Sequence, residues 1–115
     1  LLGLAYKGNV DDIRESPSLH IYSQLQLKNY KVSVHDPHVK HHSPMPLDTL
    51  ESALKDADCM AILTAHDEFK KIDPKLASKL MRTKNVLDTH NILNTKEWEK
   101  YEFNISILGV GKPEN

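Results

Sequence analysis

The order of apolar and polar positions lays out an alternating series of short strands and helices. Leu2-Gly3-Leu4-Ala5 is an apolar run with small residues, which suits a strand covered on both faces. A polar loop follows, and Ser16-Pro17 opens a helix: Ser caps free N–H groups, and Pro at the first helical position has none to waste. That helix runs from Pro17 to about Asn29, with Leu19, Tyr22 and Leu25 on one stripe and Ile21 beside it. Lys28 suits the dipole of the last turn, and Asn29 suits the C-cap. Tyr30-Lys31-Val32-Ser33-Val34-His35 alternates as a strand does and stops at Asp36-Pro37. Strand, helix and strand in this span form a βαβ unit, which implies a parallel pair and a right-handed crossover.

The segment from His38 to Pro46 reads as a loop, and Leu47 to Ala57 as a helix burying Leu47, Leu50, Leu54 and Ala57. Asp48 and Glu51 are placed to close its first turn in capping-box fashion. Cys59 to Leu63 is wholly apolar, which predicts a central strand with a buried thiol. His66-Asp67-Glu68-Phe69 begins a short turn or helix. Asp73-Pro74 opens a helix to Arg82 that buries Leu76, Ala77, Leu80 and Met81. Asn85 to Asp88 is a fourth strand, Thr95 caps a last helix carrying Trp98 and Tyr101, and Ile105 to Val110 is a fifth strand. The sum is an α/β domain: an open sheet of about five mostly parallel strands with helices on both faces.

In such sheets ligands collect at the carboxyl ends of the strands. The residues there are Tyr6, Lys7, Arg14, Asp36, Thr64, His66, Asp88 and His90. Lys7 and Arg14 stand beside the helix that starts at Pro17, whose N–H groups favour anions, so the corner is a candidate phosphate site. The alternative is a solvated loop whose cations are balanced by Asp11, Asp12 and Glu15. Gly3 and Gly8 have the spacing of a P-loop, but Asn9-Val10 replaces its Lys and Ser/Thr. G-x-G-x-x-G is absent after the first strand. Asp36 stands where a dinucleotide fold often has a ribose-binding acid, or it is a turn-making Asp-Pro.

Composition narrows the classes. The chain has 115 residues, enough for one domain with a single core. With 15 Lys and Arg against 16 Asp and Glu, the net charge of −1 argues against a general nucleic-acid binder. One cysteine cannot form an internal disulfide, no stretch is long enough to span a membrane, and no signal peptide opens the chain. A reducing, cytoplasmic setting is expected. The clustered His35, His38, His41 and His42 lack a visible converging carboxylate or thiolate, so a solvated loop is a better reading than a metal site. His66-Asp67-Glu68 suits acid–base chemistry, or equally a helix first turn. Leu1-Leu2 begins inside a strand, which reads as a domain cut from a longer protein.

The run Gly3 to Pro17, Gly-Leu-Ala-Tyr-Lys-Gly-Asn-Val-Asp-Asp-Ile-Arg-Glu-Ser-Pro, resembles the first strand and loop of the C-terminal domain of the UDP-glucose/GDP-mannose dehydrogenases. Val34-His35-Asp36-Pro37, Asp56 to Thr64 and Val86 to Asn91 agree in the same order. Tyr6, Gly8 to Ile13 and His66 to Phe69 look most like the members acting on UDP-N-acetyl-D-mannosamine.

The resemblance implies a Rossmann-like, UDP-binding C-terminal domain spanning 1–115, a fragment of a longer dehydrogenase. It implies oxidation of a sugar C6 alcohol through an aldehyde to a carboxylate, with NAD as cofactor, bound mainly by an N-terminal domain. By the same resemblance Tyr6 and Lys7 contact the UDP part of the substrate and Arg14 reaches toward the cofactor pyrophosphate. His90 stands where many members carry a nucleotide-binding Arg. The family's nucleophilic Cys belongs to a central region that Cys59 does not match, so no catalytic residue is expected here and this chain alone should be inactive. The implied partners are a UDP-sugar, the N-terminal and central domains of the same protein, and further copies in a homodimer or larger assembly. Neither nucleic acid nor membrane is expected. Two other classes remain: a non-catalytic interaction or regulatory module, and a metal-binding domain built on the histidines.

Overall fold

The computed structural model describes residues 1–40 and 43–108. In chain order the elements are α1 (Pro17–Leu27), α2 (Leu50–Leu54), β1 (Met60–Ile62) and a 3-10 helix (Asp67–Lys71). Then come α3 (Pro74–Leu80), β2 (Asn85–Asp88), α4 (Thr95–Glu99) and β3 (Asn104–Ile107). The strands form a parallel sheet in the order β1-β2-β3, with Met60 beside Val86 and Val86 beside Ile105. The α/β class and the parallel sheet are as expected. The expected number of strands is not: among the described residues three form, not about five.

The two segments expected as the first strands are reduced to single parallel bridges, Leu2 with His35 and Leu2 with Ile62. The cause is local. Gly3 has φ of +107°, outside the strand region. The next two N–H groups, of Leu4 and Ala5, then donate to Asp36 Oδ2 at 2.7 and 3.0 Å in place of a strand carbonyl. A carboxylate therefore ends the ladder after one residue. Leu2 and Leu4, two positions apart and so expected on one strand face, join different hydrophobic clusters.

One cluster gathers Met60 and Ile62 of β1, Val86 of β2, and Leu54, Ala77 and Trp98 from α2, α3 and α4. Trp98 meets Phe103 edge-on, with centroids 4.8 Å apart at 67°, which adds roughly 0.5–1.5 kcal/mol beyond buried area. The other cluster lies under α1 and contains Leu4, Ala5, Val34, Val39 and Met45, with Leu19 and Tyr22 packed against it.

Helix starts follow their caps. Ser16 accepts from the Ser18 N–H and Asp73 from the Lys75 N–H, each just before a Pro. Replacing Asp73 with Ala should lower stability by about 1 kcal/mol, read as a fall in urea midpoint at unchanged slope. α2 is shorter than expected and begins at Leu50 behind Thr49, which accepts from Ser52 N–H; Asp48 and Glu51 form no capping box. The Asp48 N–H is already donated to the Val34 carbonyl at 2.8 Å, so it is not open to the Glu51 carboxylate for a capping box. Asn94, rather than Thr95, caps α4. Cys59 is exposed rather than buried, because β1 begins one residue later and only Met60 and Ile62 face the core. Partial burial nonetheless pushes its thiol up. Leu76 also lies at the surface, while Ala77 and Met81 are buried as expected. The last strand ends at Ile107, and positions 109 and 110 lie outside the described residues.

Candidate functional site

The opening loop is fixed at both ends and exposed between them. At its start, Asp36 holds Leu4 and Ala5, and the Tyr6 N–H donates to the Asp12 carbonyl at 2.6 Å. Gly8 lies against the Ala65 carbonyl, where a Cβ would sit 2.4 Å from the oxygen. Asn9 takes a left-handed conformation, φ 62°, which Asn tolerates better than most residues. Its N–H donates to His66 Nδ1 at 2.8 Å, and its Oδ1 accepts from the Asp67 N–H at 3.0 Å. At the loop's far end, Ser16 passes the chain into α1.

Tyr6, Asp12, Arg14 and Glu15 line an open depression of about 400 Å³. Arg14 is paired rather than free. Its Nε and Nη2 donate to the two oxygens of Asp12 at 3.0 and 2.8 Å, and its backbone N–H bonds Oδ1 at 2.9 Å. The side-chain hydrogen bond from Arg14 holds the Asp12 carboxyl at about 2, well below the usual range. The same bond raises the guanidinium. Asp12 therefore stays ionised down to about pH 2, and Arg14 keeps its partner throughout the neutral range. One of the balancing carboxylates named for the solvated-loop alternative is thus in place. Lys7 is exposed next to Tyr6 and makes no ion pair among the described residues, but it does not line the depression.

His90 follows β2 and is exposed. The Thr89 hydroxyl donates to the Ile62 carbonyl at 2.6 Å, so its oxygen accepts from His90 Nδ1 at 2.9 Å. His90 and the depression lie at carboxyl ends of the same parallel set, but His90 is not among the lining residues.

The other polar residues at those ends are structural. Asp36, 5 % exposed, accepts from the N–H groups of Leu4, Ala5, His38 and Val39 and from His66 Nε2. No lone pair faces outward, so the ribose-binding role is excluded and the turn-making role is extended. Asp88 takes the N–H groups of His90, Ile92 and Leu93, and Thr64 Oγ1 donates to the Ala5 carbonyl. His66 is fully buried, which removes the acid–base role. His35 Nδ1 bonds the Asp48 carbonyl and His38 Nε2 bonds Glu68, two separate partners. Positions 41 and 42 lie outside the described residues, and among those described no three His, Cys, Asp or Glu side chains are grouped to hold a metal.

Residues 1–95 match the model of the UDP-glucose/GDP-mannose dehydrogenase family, UDP binding domain. The chain belongs to this family. It is 41% identical over 115 residues to the UDP-N-acetyl-D-mannosamine dehydrogenase of Methanococcus aeolicus, covering 97% of this chain and 26% of that protein. Among solved structures it resembles the UDP-D-ManNAc dehydrogenase of Pyrococcus horikoshii, at a TM-score of 0.78 and 34% identity, over 93% of this chain and 24% of that one. The NDP-N-acetyl-D-galactosaminuronic acid dehydrogenase of Methanosarcina mazei superposes with a TM-score of 0.83 at 28% identity, over 93% and 23%. The chain thus spans about a quarter of the length of the relatives it matches.

For this UDP-binding domain, the sequence pointed to the exposed corner but not to its fasteners. Asn9 was legible in part, since Gly-Asn favours left-handed turns. The His66 link across 57 residues to Asn9 left no local signal.

Proposed function

We propose that this chain is the nucleotide-holding C-terminal domain, 1–115, of an NAD-dependent UDP-sugar 6-dehydrogenase, with UDP-N-acetyl-D-mannosamine as the leading substrate. The names of the similar proteins support the substrate class. In the whole enzyme one C6 alcohol, one water and two NAD⁺ would give a carboxylate, two NADH and three protons. The family assignment does not favour the non-catalytic module. The observation that carries the reading is the exposed corner, where Tyr6 and Arg14 flank an open depression beside the start of α1. Tyr6, 55 % exposed, suits a base or ribose, and Lys7 next to it suits a phosphate oxygen. We assign Arg14 to the cofactor pyrophosphate, presented by Asp12 with Nη1 left unbound. His90 would meet the nucleotide from the neighbouring strand end.

Among the described residues Gly3 and Gly8 pack against Thr64 and Ala65 rather than opening a glycine-rich turn. On that ground we assign cofactor chemistry to a preceding domain, and we assign the whole enzyme to a homodimer or larger cytoplasmic assembly. No helix among the described residues is long and apolar enough to cross a membrane.

Titration of the folded chain with UDP tests the reading. Binding should be weak, with Kd about 1 mM, because one wall of the cleft belongs to the rest of the enzyme. Lys7→Ala should weaken it about tenfold, the loss of one charge-assisted contact. No UDP response at millimolar ligand, or an unchanged affinity in Lys7→Ala, would overturn it.

A further inference from the structure

Both ring nitrogens of His66 are committed. Nδ1 faces the Asn9 N–H at 2.8 Å, and a backbone N–H can only donate, so Nδ1 carries a lone pair. The hydrogen is then on Nε2, aimed at Asp36 Oδ2 at 2.9 Å. Asp36 is the carboxylate that fixes Leu4 and Ala5, the residues before Tyr6 and Lys7. A single buried ring therefore ties the base of the exposed corner, through Asp36, to its far side at Asn9. The ring is fully buried between two others: His38 lies against it, tilted by 33° with centroids 4.3 Å apart, and Phe69 meets it edge-on at 5.3 Å.

We propose that His66 is a positioning residue for nucleotide binding: as the Nε2–H tautomer it locks the Tyr6–Asn9 loop in place. This rests on the UDP reading of the corner, since what the loop is positioned for is that ligand. His66 touches no ligand itself, being sealed beneath the loop. A second link points the same way. Asn9 Oδ1 accepts from the Asp67 N–H, so the loop and the 3-10 helix that follows His66 are joined on both sides of the ring.

An amide has a donor and an acceptor spaced much as the two ring nitrogens are, whereas a phenyl ring has neither. His66→Gln and His66→Phe therefore separate the hydrogen bonds from the packing. Three measurements on the full chain decide the matter. Nitrogen NMR of the wild type should show Nδ1 bare and Nε2 protonated at neutral pH; the opposite tautomer overturns the proposal. Amide exchange at Asn9 should speed up about tenfold in His66→Phe relative to core amides of β2, and return close to wild type in His66→Gln. Equal change at Asn9 and in β2 in both variants would mean that His66 is a packing residue only, which also overturns it. UDP affinity should follow the Asn9 exchange across the three proteins. Should the wild type fail to bind UDP, the nucleotide reading falls while tautomer and loop exchange still decide whether His66 locks the loop. Binding that stays constant while the loop loosens overturns the positioning role.

Discussion

Asp36→Asn is expected to lower the unfolding free energy by about 3 to 5 kcal/mol, a large share of what a domain this size has. The carboxylate accepts from four backbone N–H groups and from His66 Nε2. An amide keeps one acceptor oxygen and turns two hydrogens toward donors, leaving buried N–H groups unpaired at about 1–3 kcal/mol each. Urea unfolding followed by Trp98 fluorescence reads the loss, since that ring is buried in the folded chain. A fall below about 1 kcal/mol would show that the clamp is dispensable. The same carboxyl contributes to the acid side of the stability profile. Burial pushes it up, but the hydrogen bonds from Leu4, Ala5, His66 and His38 together outweigh this and hold it below the ordinary value. A depressed carboxyl stabilises the fold in full above its unfolded value of about 3.9, and that contribution fades as pH falls through its lower folded value. Stability should therefore drop on acidification below about pH 4, and the drop should be smaller in Asp36→Asn. Asp12 is depressed as well, by Arg14, but it is solvent-exposed, so its removal should leave the profile almost unchanged.

What could be read from the chain and what could not divides along the range of the interactions. α1, α3 and β2 are legible because Ser16-Pro17, Asp73-Pro74 and the Asn85–Asp88 run carry their own local instructions. The pattern overstates the first two strands for a reason no periodicity can show. Leu2-Gly3-Leu4-Ala5 and Val32-Ser33-Val34-His35 have strand-like patterns, yet Asp36 draws off the Leu4 and Ala5 N–H groups, and the two segments pair only at Leu2 and His35. Asp48 and Glu51 look like a capping box for α2, yet the Asp48 N–H goes to Val34, 14 residues back, and Thr49 caps the helix instead. At the site, the Arg14–Asp12 pair lies two residues apart and was within reach of local reasoning. The buried His66–Asp36 pair, 30 residues apart, was not. Local chemistry announces the exposed corner, and long-range chemistry holds it up.

Gly3→Ala should be the other severe substitution, lowering stability by about 3 to 5 kcal/mol, with loss of UDP binding as the corner shifts. Two costs add. A φ of +107° is reached readily only without a side chain. A Cβ at this position would also lie 2.4 Å from Thr64 Oγ1, 2.5 Å from its Cβ and 2.8 Å from its backbone N. Thr64 cannot swing aside easily, since it is buried and its hydroxyl holds the Ala5 carbonyl at 3.0 Å. The backbone contact makes a sharper test. If the clash were with the hydroxyl alone, adding Thr64→Ala would restore most of the stability lost in Gly3→Ala. Because the Cβ and N of position 64 remain, the double variant should stay below Gly3→Ala or level with it, its own hydrogen bond to Ala5 being lost as well. A double-mutant cycle read by urea unfolding measures this directly. Recovery of about 2 kcal/mol or more in the double variant would place much of the cost on a movable side chain rather than on the backbone contact.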